Sequence, residues 1–163
     1  MNSHRVPRGP INHMFRGSFE HTLDSKGRLS IPAKFREVLI GKGDDRIVIT
    51  NFVVDATRCL DVYPLDEWLR FEDEIRKKPR FERRMVSFQN YYLGGASECA
   101  VDKQGRILIP PLLRHYAGLK RDVVLVSSLD KFRVWDKEAW KKVFAGAEDK
   151  LMQDPDFLGD LGL

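Results

Sequence analysis

Two arginines stand at matched places in the chain, and each directly follows a glycine. Asp24-Ser25-Lys26-Gly27-Arg28 returns as Asp102-Lys103-Gln104-Gly105-Arg106, and each copy runs through a short apolar stretch to a proline, Pro32 or Pro110. A guanidinium set just after a sharp turn offers a rigid, planar fork of donors. That shape suits phosphates and the guanine edge in a major groove. Lys26 and Lys103 beside the arginines suit phosphate, and Gln104 can pair with adenine. Four residues past each proline come Arg36 and Arg114, which with Lys34 extend the basic surface from an adjoining helix. Asp24 and Asp102 can accept hydrogen bonds from turn amides, while Gly27 and Gly105 supply positive φ at little cost. A plainer reading stands beside this one: each arginine neutralises the aspartate of its own turn and acts as a latch. On the residues alone both readings stay open for the arginines, whereas the aspartates and glycines are read as shaping the turns.

Other chemistry has weaker support. One aspartate per half resembles the two-carboxylate logic of aspartic proteases. Those enzymes, however, set their aspartates in D-[TS]-G turns, and the neighbouring lysine and arginine here keep each carboxylate ionised rather than sharing a proton. His13, His21 and His115 have no ligand-like spacing with the cysteines, and neither a P-loop nor a dinucleotide-binding glycine pattern occurs. No enzyme, metal site, cofactor or small-molecule ligand is expected. The dense basic run Arg76-Lys77-Lys78-Pro79-Arg80, with Arg83 and Arg84, is not repeated and reads as a solvated junction. Phe71, Phe81, Phe88, Tyr91 and Tyr92 read as core or subunit interface.

The elements that must position the turns also come twice. Residues 18–23 read as a strand, 24–27 as a turn and 28–31 as a short strand, with Pro32 opening a helix whose face is Phe35, Val38 and Leu39. Gly41 and Gly43 end that helix. Strands follow at 47–49 and 60–63, then an amphipathic helix over 64–78, with a longer connection around Asn51 to Thr57. The second copy gives a strand at 98–101, a turn at 102–105 and a helix face of Leu113, Tyr116 and Ala117. Strands at 123–126 and 132–135 and a helix over 136–150 complete it. Trp68 and Trp140 fall at corresponding places. Between the copies, 80–93 reads as helical until Gly94-Gly95 breaks it.

The chain has 163 residues, 42% of them hydrophobic, and a net charge of +4. Two halves this small cannot bury separate cores, so they are expected to interlock into one α+β, β-rich body with a pseudo-twofold axis. The division reads as an arm over 1–13, a first repeat with its helix over 14–80, a connecting segment over 81–95, a second repeat with its helix over 96–150, and a loose tail over 151–163. The arm, with Val-Pro-Arg-Gly ahead of His13-Met14, reads as a disordered vector remnant. No apolar run is long enough to span a bilayer and no signal peptide is seen, so no membrane partner is expected. Cys59 and Cys99 occupy non-equivalent places and read as free thiols of a reduced cytoplasm.

Met14-Phe15-Arg16-Gly17, the first D-x-K-G-R-x-x-x-P, Tyr92-Leu93-Gly94-Gly95-Ala96 and the second D-x-x-G-R-x-x-x-P closely resemble the bacterial MraZ family, from Met14 to about Lys142. The resemblance implies two fused AbrB-like swapped-hairpin halves folded as an intrachain pseudo-dimer. It implies a cytoplasmic, nucleoid-associated transcriptional regulator at the head of the division and cell-wall gene cluster. Such a protein binds direct repeats in the promoter and assembles into a homo-oligomeric ring. It also makes Asp24/Arg28 and Asp102/Arg106 the DNA-contact pairs. The rival expectation is an assembly or protein-interaction module of the same fold.

Overall fold

The computed structural model describes residues 14–163, so the arm over 1–13, with its His13, lies outside the described residues. Ser18–Thr22 (β1) alternates exposed and half-buried positions, as a strand with one face on the core must. After the turn, Arg28–Ser30 forms β2. Pro32 sits at the cap of Ala33–Lys42 (α1) with φ −52°, and Phe35, Val38 and Leu39 turn inward as their spacing predicts. Gly43, left-handed at φ 72°, ends α1, while Gly41 lies inside it and has no part in stopping it. Arg46–Val54 (β3), Thr57–Pro64 (β4) and Leu65–Arg76 (α2) follow. Arg83–Phe88 (α3) then runs into a π-helical turn, Gln89–Leu93. The second half repeats the pattern with Ser97–Ala100 (β5), Arg106–Leu108 (β6), Pro111–Tyr116 (α4), Asp122–Ser128 (β7), Lys131–Asp136 (β8) and Lys137–Met152 (α5).

The halves interlock by exchanging their first strands. Six strands form an antiparallel sheet in the order β1-β7-β8-β4-β3-β5, so β1 pairs with the second half and β5 with the first. The central pair joins Leu60 to Val134, Asp61 to Arg133 and Val62 to Phe132, which places the pseudo-twofold axis between β4 and β8. A separate two-stranded ribbon pairs β2 with β6. Both halves feed one core: Leu29, Ile31 and Phe35 pack in the same cluster as Ile107, Ile109 and Leu113. This is the single β-rich body expected of two units too small to fold apart.

A second apolar cluster holds Tyr63, Trp68 and Tyr92 beneath α2 and the π-helical turn. The buried Asp61 carboxylate accepts hydrogen bonds from Arg133 Nε at 2.8 Å and from the Tyr92 hydroxyl, so its charge is paired where an unpaired one would be costly. Thr50 Oγ1 and Asn51 Nδ2 donate to the carbonyls of Tyr92 and Tyr91. A Cβ on Gly95 would lie 1.8 Å from Asn51 Oδ1, so this approach of β3 to the π-helical turn requires glycine. The Tyr92-Leu93-Gly94-Gly95 motif is thus a clamp between the connecting segment and the sheet.

The longer connection around Asn51 to Thr57 is the end of a lengthened hairpin, longer than β7–β8. β3 and β4 pair through to Val54 and Thr57 across a two-residue turn, Asp55-Ala56, whose φ values of 50° and 61° match the twist of a tight hairpin. Residues Pro155–Asp160 form a short helix (α6) capped by the Asp154 side chain, where a loose tail was expected. Phe81 is exposed on the single chain, while Phe71, Phe88, Tyr91 and Tyr92 pack in the second cluster. Trp68 is buried, whereas its counterpart Trp140 is half-buried against Trp135 at 5.9 Å.

Candidate nucleic-acid interface

The two turns are built alike, bond for bond. In the first, Asp24 Oδ1 accepts from the backbone N–H of Lys26 (2.9 Å) and of Arg28 (2.8 Å), while Gly27 N donates to the Asp24 carbonyl. In the second, Asp102 Oδ1 accepts from Gln104 and Arg106 at 2.9 Å each, and Gly105 N donates to the Asp102 carbonyl. Gly27 and Gly105 stand at φ 82° and 75°, the left-handed region that both turns require. The amide of Arg28, then its guanidinium, hold the Asp24 carboxyl down at about 2. Asp102 is lowered in the same way, led by the amide of Arg106.

The other oxygen of each carboxylate meets the arginine side chain. Arg28 Nε donates to Asp24 Oδ2 at 2.6 Å and Arg106 Nε to Asp102 Oδ2 at 3.1 Å. Neither arginine's terminal amino groups have a protein hydrogen-bond partner among the described residues. The aspartate therefore holds the guanidinium at Nε and leaves its terminal amino groups unengaged by protein. Latch and contact are compatible roles of the same residue.

Ile31 N donates to the Gly105 carbonyl and Ile109 N to the Gly27 carbonyl, so each strand of the ribbon ends on the other half's turn. Arg28 pairs with Leu108 and Ser30 with Arg106, around a buried Leu29–Ile107 pair. With side chains alternating along a strand, Arg28, Ser30, Arg106 and Leu108 share the outer face. Sequence reasoning did not single out Ser30 or the half-exposed Leu108, although counting in twos from each arginine reaches both. Lys26, Lys103 and Gln104 are exposed at the turn tips.

Arg36, exposed on α1, and Arg114, half-buried on α4, each lie across the glycine of the opposite turn. A Cβ on Gly27 would lie 2.4 Å from Arg114 Cζ, and one on Gly105 would lie 2.6 Å from Arg36 Cδ. Arg114 Nε is buried without a hydrogen-bond partner among the described residues, so packing holds it there. Lys34 is exposed on α1. Nothing in the linear order of the chain signals this cross-packing, because it depends on the strand exchange.

Other candidate chemistry does not converge. The basic run is broken into local ion pairs such as Lys77–Glu74 at 3.0 Å and Arg84–Glu82 at 3.0 Å. His21 Nδ1 meets the Ser30 carbonyl at 2.7 Å, and no cluster of three metal-ligating side chains occurs among the described residues. Cys59 and Cys99 are free thiols, pushed up to about 12 and about 11 by burial. They remain protonated near neutral pH and are poor nucleophiles there. No helix among the described residues is long and apolar enough to cross a membrane.

Comparison with known proteins agrees with the repeat. A family model described as "MraZ protein, putative antitoxin-like" matches residues 14–90 and again 92–158. A relative from Thioalkalivibrio sulfidiphilus, named transcriptional regulator MraZ, is 45% identical over 129 residues, covering 79% of this chain and 84% of its own. A protein of the same name from Natranaerobius thermophilus is 45% identical over 139 residues (83% and 90%). Another from Desulfitobacterium hafniense is 40% identical over 150 residues (92% and 100%).

Proposed function

This chain belongs to the MraZ family, and from that premise we propose that it is a DNA-binding transcriptional regulator, not an enzyme, reading DNA with the β2–β6 ribbon. The observation that carries the reading is the pair of matched turns, each holding an arginine by one edge with its terminal amino groups unengaged by protein. A two-stranded ribbon fits a major groove, and such a guanidinium there can meet guanine O6 and N7 together.

The finer assignment is our reading, supported by the same geometry and by the family resemblance. Arg28 and Arg106 contact bases, helped by Gln104, while Lys26 and Lys103 meet phosphate. Arg36 and Arg114 serve the interface by bracing the opposite turns. The operator is a set of direct repeats in the promoter of the chain's own division and cell-wall cluster. Self-association into a ring presents several ribbons to successive repeats and gains affinity through multivalency. The described residues divide as a first repeat over 14–80, a connector over 81–95 and a second repeat over 96–150.

The test is a mobility-shift assay with the region upstream of the chain's own gene. Arg28→Ala is expected to abolish the specific shift while the oligomer, followed by light scattering, stays intact. Unchanged binding, or loss of assembly, would turn the motif back into a latch alone.

A further inference from the structure

The two turns match in backbone but not in the charge beside them. Each is flanked by the loop that leads from the other half's short helix into its long strand. Leu23 N donates to the Arg121 carbonyl at 2.8 Å, and Val101 N donates to the Asp45 carbonyl at 2.9 Å. One residue on, Thr22 pairs with Asp122 and Ala100 with Arg46. These bonds make Asp44-Asp45-Arg46 and Lys120-Arg121-Asp122 positional counterparts. The first carries two negative charges and one positive; the second carries two positive and one negative. The sign is inverted at three successive positions.

The inversion leaves the groove beside the first turn net positive and the groove beside the second turn near neutral. The groove at the first turn is lined by Asp24, Arg114, His115, Lys120 and Arg121. Its single carboxylate is already held by Arg28 at 2.6 Å. Lys120 and Arg121 are exposed, and their side chains have no ion-pair partner among the described residues. At the second turn the groove is lined by Arg36, Asp44, Asp45, Arg46, Asp102 and Lys103. There Arg46 is spent on Asp44 at 2.8 Å, which leaves the exposed Asp45 facing the same space as Lys103.

We propose that Lys120 and Arg121 form a phosphate-binding element, so that the loop flanking the first turn holds the DNA backbone while its counterpart flanking the second turn, Asp44 to Arg46, does not. The proposal rests on the DNA-binding reading above. Duplex DNA carries about one charge per 1.7 Å of axis, so a run of unpaired cations beside Lys26 releases counterions on contact. At the counterpart position Asp44 is tied to Arg46 and Asp45 is acidic, so that loop offers the backbone no such contact. A pseudo-twofold reader charged on one flank only distinguishes the two directions along a duplex.

Fluorescence anisotropy against salt tests this, using a labelled duplex of the region upstream of the chain's own gene. Lys120→Ala/Arg121→Ala is expected to make the slope of log affinity on log salt shallower by about 2, since each phosphate contact contributes about 0.9. Asp44→Asn/Asp45→Asn is expected to leave slope and affinity near wild type. Thermal melts show whether either double variant alters the fold, and both pairs lie in surface loops. An unchanged slope in the lysine–arginine variant overturns the proposal. So does an affinity gain in the aspartate variant as large as the loss in the other, because both flanks would then face phosphate. A wild-type chain with no salt-dependent binding would instead overturn the DNA-binding reading itself.

Discussion

Replacing Gly27 with alanine should cost more than the same change at Gly43, although the two glycines stand at similar positive φ, 82° and 72°. Left-handed backbone costs an L-residue about 1–2 kcal/mol. Alanine also narrows the unfolded ensemble at either site, and both terms are common to the two positions. The surroundings differ. A Cβ on Gly43 meets nothing within 4 Å, whereas one on Gly27 would lie 2.4 Å from Arg114 Cζ. The obstruction is the far end of a flexible side chain, so the guanidinium moves and the backbone stays. What is lost is its packing over the turn. Couplings between touching residues run from about 0.5 to about 3 kcal/mol, and a displaced flexible end belongs near 1. We expect about 1–2 kcal/mol for Gly43→Ala and about 2–3 kcal/mol for Gly27→Ala, and each kcal/mol lowers Tm by about 2–4 °C in a chain of this size. The assay is guanidinium denaturation at matched protein concentration, with Arg114→Ala and the Gly27→Ala/Arg114→Ala double variant completing a cycle. In the Arg114→Ala background the excess should vanish. Equal costs at the two glycines, or an excess that survives without Arg114, would refute the cross-bracing of the turns. At Gly105 the obstruction is Arg36 Cδ, nearer the root of its side chain, so alanine there should cost at least as much.

Two further outcomes follow from buried and turn carboxylates. Asp61→Ala leaves Arg133 facing an emptied, buried site and should destabilise by about 3 kcal/mol, read as a fall in denaturation midpoint. A loss below about 1 kcal/mol would mean that the pair contributes little to holding β4 against β8. The Asp24 latch, with a folded-state value near 2 against an unfolded one near 3.9, is fully present above about pH 4 and is lost only as pH falls through 2. A carbon-detected NMR titration should place its midpoint near 2, and DNA binding should show no step from the turns between about pH 5 and 9. A midpoint near 4 would show that the carboxylate is not held.

Much of this architecture was legible because the chain repeats itself. The D-x-x-G-R turns, the Phe35, Val38 and Leu39 face and the order of strands could be read from period, proline and glycine. Less legible was that the longer connection around Asn51 to Thr57 is continuous hairpin, because its turn, Asp55-Ala56, lacks the usual glycine. The bracing of Gly27 by Arg114 was hidden for a deeper reason. Residues far apart in sequence meet only after the halves exchange strands, and an arginine packed against a glycine leaves no local pattern. The charge inversion at 44–46 and 120–122 was present in the sequence throughout. It became visible once Asp45 and Arg121 were seen to accept equivalent backbone bonds.

The most direct test of the central claim keeps the charge and removes the fork. Arg28→Lys and Arg106→Lys preserve the attraction to phosphate but lose the planar pair of donors at each turn. Competition binding should compare the upstream duplex with a scrambled duplex of equal length and salt. If the arginines read bases, each lysine variant should lose about 1–3 kcal/mol of discrimination, roughly tenfold or more in the specificity ratio, with scrambled-duplex affinity little changed. A specificity ratio equal to wild type in both variants would contradict the account.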